Sequence, residues 1–141
     1  MSDAARRILL AILILGIAGI STELWLLAHT EDAYMLIPLV LAVAGVVMSI
    51  AVVRRPSAGM VRLFQAVMAL FLLSGVVGMW LHFQVNLEFQ LEMDPALRGL
   101  ALFQKAIVAK TPPALAPGAM IQLGLIGLAY TFRHPALARV G

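Results

Sequence analysis

Four apolar stretches, separated by short polar breaks, set the frame of this chain. Residues 8–28 are apolar except for Ser21, Thr22 and Glu23, and residues 34–53 form a second run with Pro38 in its first turns. Residues 60–81 follow, with Arg62 and Gln65 near the start and Trp80 at the end. Residues 117–132 make the fourth. A membrane-crossing helix needs about 20 apolar residues, so the first three runs are each long enough. The fourth reaches roughly 24 Å at 1.5 Å per residue, which places residues 112–116 in the headgroup layer. The breaks carry turn chemistry: His29-Thr30-Glu31-Asp32 after the first run, and Arg54-Arg55-Pro56-Ser57-Ala58-Gly59 after the second.

The remaining stretch, residues 82–116, is predicted to be an outer loop. Its opening alternates with period two. His82, Gln84, Asn86, Glu88, Gln90, Glu92 and Asp94 are polar, while Phe83, Val85, Leu87, Phe89, Leu91 and Met93 fill the gaps. That pattern reads as a half-buried strand, so an extended segment is expected. Wound as a helix, the same residues would set His82 over Asn86 and Glu88 over Glu92. Asp94-Pro95 has the form of a helix start, an N-cap carboxylate followed by proline at N1. The spacing of Leu97, Leu100, Ala101, Ile107 and Val108 then predicts an amphipathic helix to about residue 109, lying on the membrane surface and ended by Thr111-Pro112-Pro113.

Charge fixes the expected orientation. Arg6, Arg7, Arg54, Arg55, Arg62, Arg133 and Arg139 fall on one side of the four runs, with Asp3. Arg98, Lys105 and Lys110 fall on the other, with Glu23, Glu31, Asp32, Glu88, Glu92 and Asp94. Lys and Arg concentrate in cytoplasmic segments, so both termini are expected inside a bacterial-type inner membrane. The first run outlasts a signal-peptide core and lacks a clean cleavage site, so it reads as an uncleaved helix. Small residues recur at i,i+3 in every run, as Gly16/Gly19, Ala42/Gly45, Gly75/Gly78 and Gly124/Gly127. Such residues let helix backbones approach closely in lipid. The expected fold is therefore an all-α membrane protein, one domain over residues 1–141. It is an antiparallel four-transmembrane-helix bundle whose extracytoplasmic loop carries an extended segment and an amphipathic helix.

Composition supports this class and removes others. The chain is 62% hydrophobic and 12% charged, against about 45–50% and 25% in soluble domains. With no cysteine, disulfides, thiolate metal sites and thiol catalysis are excluded. No phosphate-binding glycine loop is present, no Ser–His–Asp set is convincing, and the basic residues serve orientation rather than nucleic acid. The methionines show no closely spaced run, which disfavours copper(I) transport.

The chemistry left lies on the acidic side. Glu23 is the sharpest residue, because a carboxylate within a span costs about 2.5 kcal/mol or more at the bilayer centre and marks function by default. The competing reading is that it reaches the headgroups; if it is buried, Gln122 or His82 would partner it. His29, His82, Glu88 and Glu92 carry imidazole and carboxylate donors of the kind that bind zinc, manganese or non-haem iron, and they form the candidate metal set. Glu31, Asp32 and Asn86 complete the polar rim. The alternative is an interfacial histidine pair above a solvated acidic loop. Haem held axially by His29 and His82 is a weaker option. Lys105 and Lys110 are placed to pair with Glu88 and Glu92, though exposed pairs contribute little. Trp25, Trp80, Tyr34 and Tyr130 read as interfacial belts, and His134 as a solvated inner end.

The expected function is a small non-catalytic membrane protein whose outer acidic site binds a divalent cation or a basic partner. Alternatives are an accessory or structural subunit of a larger membrane complex, and a transporter or enzyme using a buried Glu23, which would need oligomerisation; the expected partners are the bilayer and a membrane-protein partner or a second copy.

Overall fold

The computed structural model describes residues 1–26, 36–108 and 115–138, and these are helical with no strand among them. Helix α1 spans Asp3–Leu26, α2 Ile37–Arg54, α3 Ala58–Met93, α4 Gly99–Ile107, α5 Leu115–Tyr130 and α6 Pro135–Ala138. The first three are long and apolar enough to cross a membrane, and α5 is a shorter apolar helix. Expectations that rest on His29, Glu31, Asp32, Tyr34, Lys110 or Arg139 lie outside the described residues.

Local chemistry explains the boundaries. Proline opens α2, where a missing N–H is tolerated. The Ser57 hydroxyl accepts from the Met60 N–H at 3.2 Å and caps the start of α3. Hydroxyls inside α1 and α2 are satisfied by their own helices. Ser21 donates to the Ile17 carbonyl, Thr22 to that of Ala18 and Ser49 to that of Gly45. None of these hydroxyls is left for other chemistry.

Helix α3 corrects the expected extended segment. It runs unbroken for 36 residues through His82 and on to Met93. An unpaired strand would leave its backbone groups without partners, whereas a helix satisfies them internally. Residues 82–93 also contain no glycine or proline and are rich in Leu, Glu, Gln and Met. Exposure follows the helical period: Leu81, Val85, Glu88, Phe89, Glu92 and Met93 are exposed, while Phe83, Asn86, Leu87 and Gln90 are at least partly covered. The Asp94-Pro95 reading is corrected too. A residue before proline avoids the helical region, so Asp94 turns extended and ends α3. Its carboxylate accepts from the Ala96 N–H at 3.1 Å. Helix α4 starts only at Gly99, which has φ +56°.

Packing runs α1 against α2 and α5, and α3 against α2 and α5, with α4 and α6 also on α3. The core comprises Leu13, Ile17, Ile20 and Leu24 of α1, Ala42 and Val52 of α2, Val61, Phe64, Met68 and Phe71 of α3, and Met120 and Leu123 of α5. Glycines stand where helices come closest. A methyl at Gly75 would meet the Pro117 carbonyl oxygen at 2.6 Å, and one at Gly124 the Met68 carbonyl oxygen at 2.7 Å. Gly16 abuts Leu123, and Gly45 abuts Phe71 and Ile17. Gly19 faces open space, so its share of the expected pattern makes no contact. Outside this core the helices expose Leu15, Val40, Val43, Leu63, Leu73 and Val76. Apolar surface on that scale is foreign to a water-soluble monomer and normal for helices facing lipid.

Candidate functional site

The two ends of the helices differ in character. At the acidic end, α3 continues past the first turn of α5 and α4 folds onto it. Two contacts hold this pair, and a ring contact within α3 supports them. The Asn86 side-chain amide, buried, donates to the Ala106 carbonyl at 3.1 Å; the Phe83 and Phe103 rings meet edge to face at 5.7 Å; Trp80 lies tilted against Phe83 at 6.4 Å. Asn86 thus serves as the polar latch of α4, a role that the alternating pattern concealed.

The sequence-predicted residues are only partly brought together. Glu23 is exposed, not buried, and sits in the last turn of α1. It lines a shallow groove of ≈ 180 Å³ with Gln122, between α1 and α5. His82 is half-buried and has an interaction partner. Glu88 lies six residues further on, about 120° around the helix and roughly 9 Å along it. Glu88 and Glu92 are exposed on the opposite flank from Asn86. Among the described residues no three His, Asp or Glu side chains converge in a way that could hold a metal ion. A site using His29, Glu31 or Asp32 would draw on groups outside the described residues.

The arginine end holds a constellation that sequence reasoning missed. Arg6, only 9% exposed, reaches from the start of α1 to the turn after α5. It donates to the Arg133 carbonyl at 2.8 Å, the Phe132 carbonyl at 3.5 Å and the Met1 carbonyl at 3.3 Å. Its guanidinium also meets the Asp3 carboxylate at 3.4 Å. Carbonyls left unpaired at the end of α5 are natural partners for a cation. Tyr130 packs edge-on against Phe64, 5.6 Å between centroids, and its other neighbour is the His134 ring at 5.9 Å.

His134 is buried, not solvated as the sequence suggested. Its Nδ1 accepts from the Ala136 N–H at 3.2 Å, so the neutral ring carries its proton on Nε2. Burial, and then the charge of Arg6, push this imidazole below its usual range. Gln65 ties α3 to the same turn by donating to the Thr131 hydroxyl at 3.0 Å. One sequence clue existed: Tyr130 and His134 are four apart, on one face of a continuing turn.

A cavity of ≈ 370 Å³ opens beside this cluster, lined by Asp3, Arg6, Arg7, Tyr130 and His134 with apolar walls from Leu10, Val52, Val53 and Pro56. Chemically it offers hydrogen-bond donors and positive charge at one end and hydrocarbon at the other. Together, fold and site define a class: an all-helical chain with three helices able to cross a membrane, an acidic helical projection and a basic, half-apolar cavity. No protein family matches the chain, and no curated protein or solved structure is detectably similar to it.

Proposed function

We propose that this chain is a non-catalytic accessory subunit of a membrane complex. In this reading α1, α2, α3 and α5 form an antiparallel four-helix bundle in a bacterial-type inner membrane with both termini cytoplasmic. The α3–α4 projection docks on a basic, partly apolar extracytoplasmic surface of a partner membrane protein. The observation that carries it is the length and surface of α3. Thirty-six residues extend roughly 54 Å, against about 30 Å of hydrocarbon. If Arg62 lies at the inner surface, Trp80 falls near the outer one, and Leu81–Met93 stands clear. That projection shows Val85, Phe89 and Met93 at four-residue spacing, flanked by Glu88 and Glu92, all exposed. An apolar helical stripe edged by carboxylates suits helix packing against a cationic partner.

A photo-crosslinking residue at Phe89, in cells at native expression, tests the proposal. A single heterologous adduct is expected, carrying a basic extracytoplasmic segment and lost in the Glu88→Lys/Glu92→Lys double variant. Adducts only to a second copy of the chain, or none, would overturn it. A rise in melting temperature with zinc or manganese, reversed by EDTA, would instead assign the acidic end to a cation held by His29, His82, Glu88 and Glu92.

A further inference from the structure

We infer that the cavity at the arginine end binds the phosphate group of an anionic phospholipid. The inference rests on the membrane-crossing part of the reading above and is independent of docking at the acidic end. Two polar residues of its wall are largely buried. Arg6 Nε is enclosed and makes no hydrogen bond among the described residues, and Tyr130 is 6% exposed. Buried donors are ordinarily satisfied, and leaving one unmade costs about 1–3 kcal/mol. Arg6 and Tyr130 line the same cavity, so an acceptor oxygen bound there lies beside both side chains.

Charge supports the same ligand. Arg7 lines the cavity and is exposed, Arg54 and Arg55 sit on the turn between the lining residues Val53 and Pro56, and Asp3 is the one acid in the wall among the described residues. The His134 Nε2–H, fixed by the Ala136 contact, adds a neutral donor. Arginine matches phosphate oxygens through its planar fork. The apolar lining of Leu10, Val52, Val53 and Pro56 is of no use to a free anion but suits the glycerol and first methylenes of a lipid. Positive charge beside apolar wall at a span end is the chemistry of headgroup recognition.

Full-length protein in nanodiscs would be examined by native mass spectrometry after release into detergent. With phosphatidylglycerol, one retained lipid per chain is expected, and with phosphatidylcholine alone none. Tyr130→Phe, which keeps the ring against Phe64, and Arg7→Gln, which is exposed, should each weaken retention roughly tenfold, a factor equivalent to one charge-assisted hydrogen bond. Unchanged circular-dichroism melting in both variants shows that the fold is retained. Equal retention of the two lipids, or retention untouched by either variant, would overturn the inference. Displacement of the lipid by millimolar inorganic phosphate would overturn the lipid identity in favour of a phosphate site open to water. Carbonate extraction separates the two failures: a chain that leaves the membrane pellet refutes the membrane reading itself, whereas a pelleted chain without lipid refutes only this site.

Discussion

Replacing Gly75 or Gly124 by alanine tests whether α3 and α5 are held together by backbone contact. At Gly75 the new methyl would lie 2.6 Å from the Pro117 carbonyl oxygen and 3.0 Å from the Ile121 nitrogen. At Gly124 it would lie 2.7 Å from the Met68 oxygen and 3.1 Å from the Leu72 nitrogen. Comfortable contacts sit near 3.5–4.0 Å, so the helices must part by about 1 Å, and no rotamer change can relieve the clash. Overpacking costs about 1–3 kcal/mol, toward the upper end where backbone is met. Alanine returns about 0.5–1 kcal/mol of helix propensity. The net expectation is about 2 kcal/mol of destabilisation at each site. Gly19→Ala is the internal control: nothing stands within 4 Å of its added methyl, so only the propensity gain remains and the variant should be neutral or slightly more stable. Reversible SDS titration in mixed micelles, followed by far-ultraviolet circular dichroism, reads all three on one scale. If Gly75→Ala and Gly124→Ala unfold within about 0.5 kcal/mol of the parent, the ordinary spread for surface substitutions, close glycine packing is not what joins these helices.

Three further outcomes follow from the structure. Glu88→Pro should break α3 near its C-terminal end, at a local cost of about 3 kcal/mol, with loss of a disulfide engineered between positions 86 and 106; an extended segment would accept the proline and keep that crosslink. Asn86→Leu should release α4 at a cost of about 1–3 kcal/mol, since the Ala106 carbonyl loses its donor; faster hydrogen exchange confined to Gly99–Ile107 is the readout, and unchanged exchange would deny the latch. His134 is held below the ordinary imidazole value of 6.5 by burial and then by Arg6, with Tyr130 as its other near titratable neighbour. The unfolded chain therefore takes up the proton first as pH falls, so the contribution of His134 is full above 6.5 and is lost as pH drops through the lower native value. His134→Gln should flatten stability against pH in that window, and an unchanged slope would contradict the buried neutral imidazole.

What the sequence displayed and what it hid divide along one physical line. Span positions, the proline at the start of α2 and the Pro56-Ser57 cap were legible because each rests on residues within a turn of one another. The glycine contacts were legible for a related reason: in lipid, close approach needs small residues wherever it occurs, although Gly19 shows that the pattern overcounts. The segment from His82 to Met93 misled because alternation reports polarity at each position, not the partner that completes a backbone. With no second strand available, the helix prevailed, and α4 then buried Asn86 while leaving Glu88 and Glu92 free. Within the metal set, the helix puts Glu88 and Glu92 one turn apart on one face and turns His82 about 120° from Glu88, where the alternating pattern had put all three in line. The arginine end was the least legible. Arg6 looked like one orientation charge among seven, because the carbonyls that bury it belong to Phe132 and Arg133, some 126 and 127 positions away. A charge required only for orientation would be expected to stay solvated and interchangeable with lysine. One enclosed between the end of α5 and an apolar cavity wall is fixed by geometry, so Arg6→Lys should impair lipid retention while leaving membrane orientation intact.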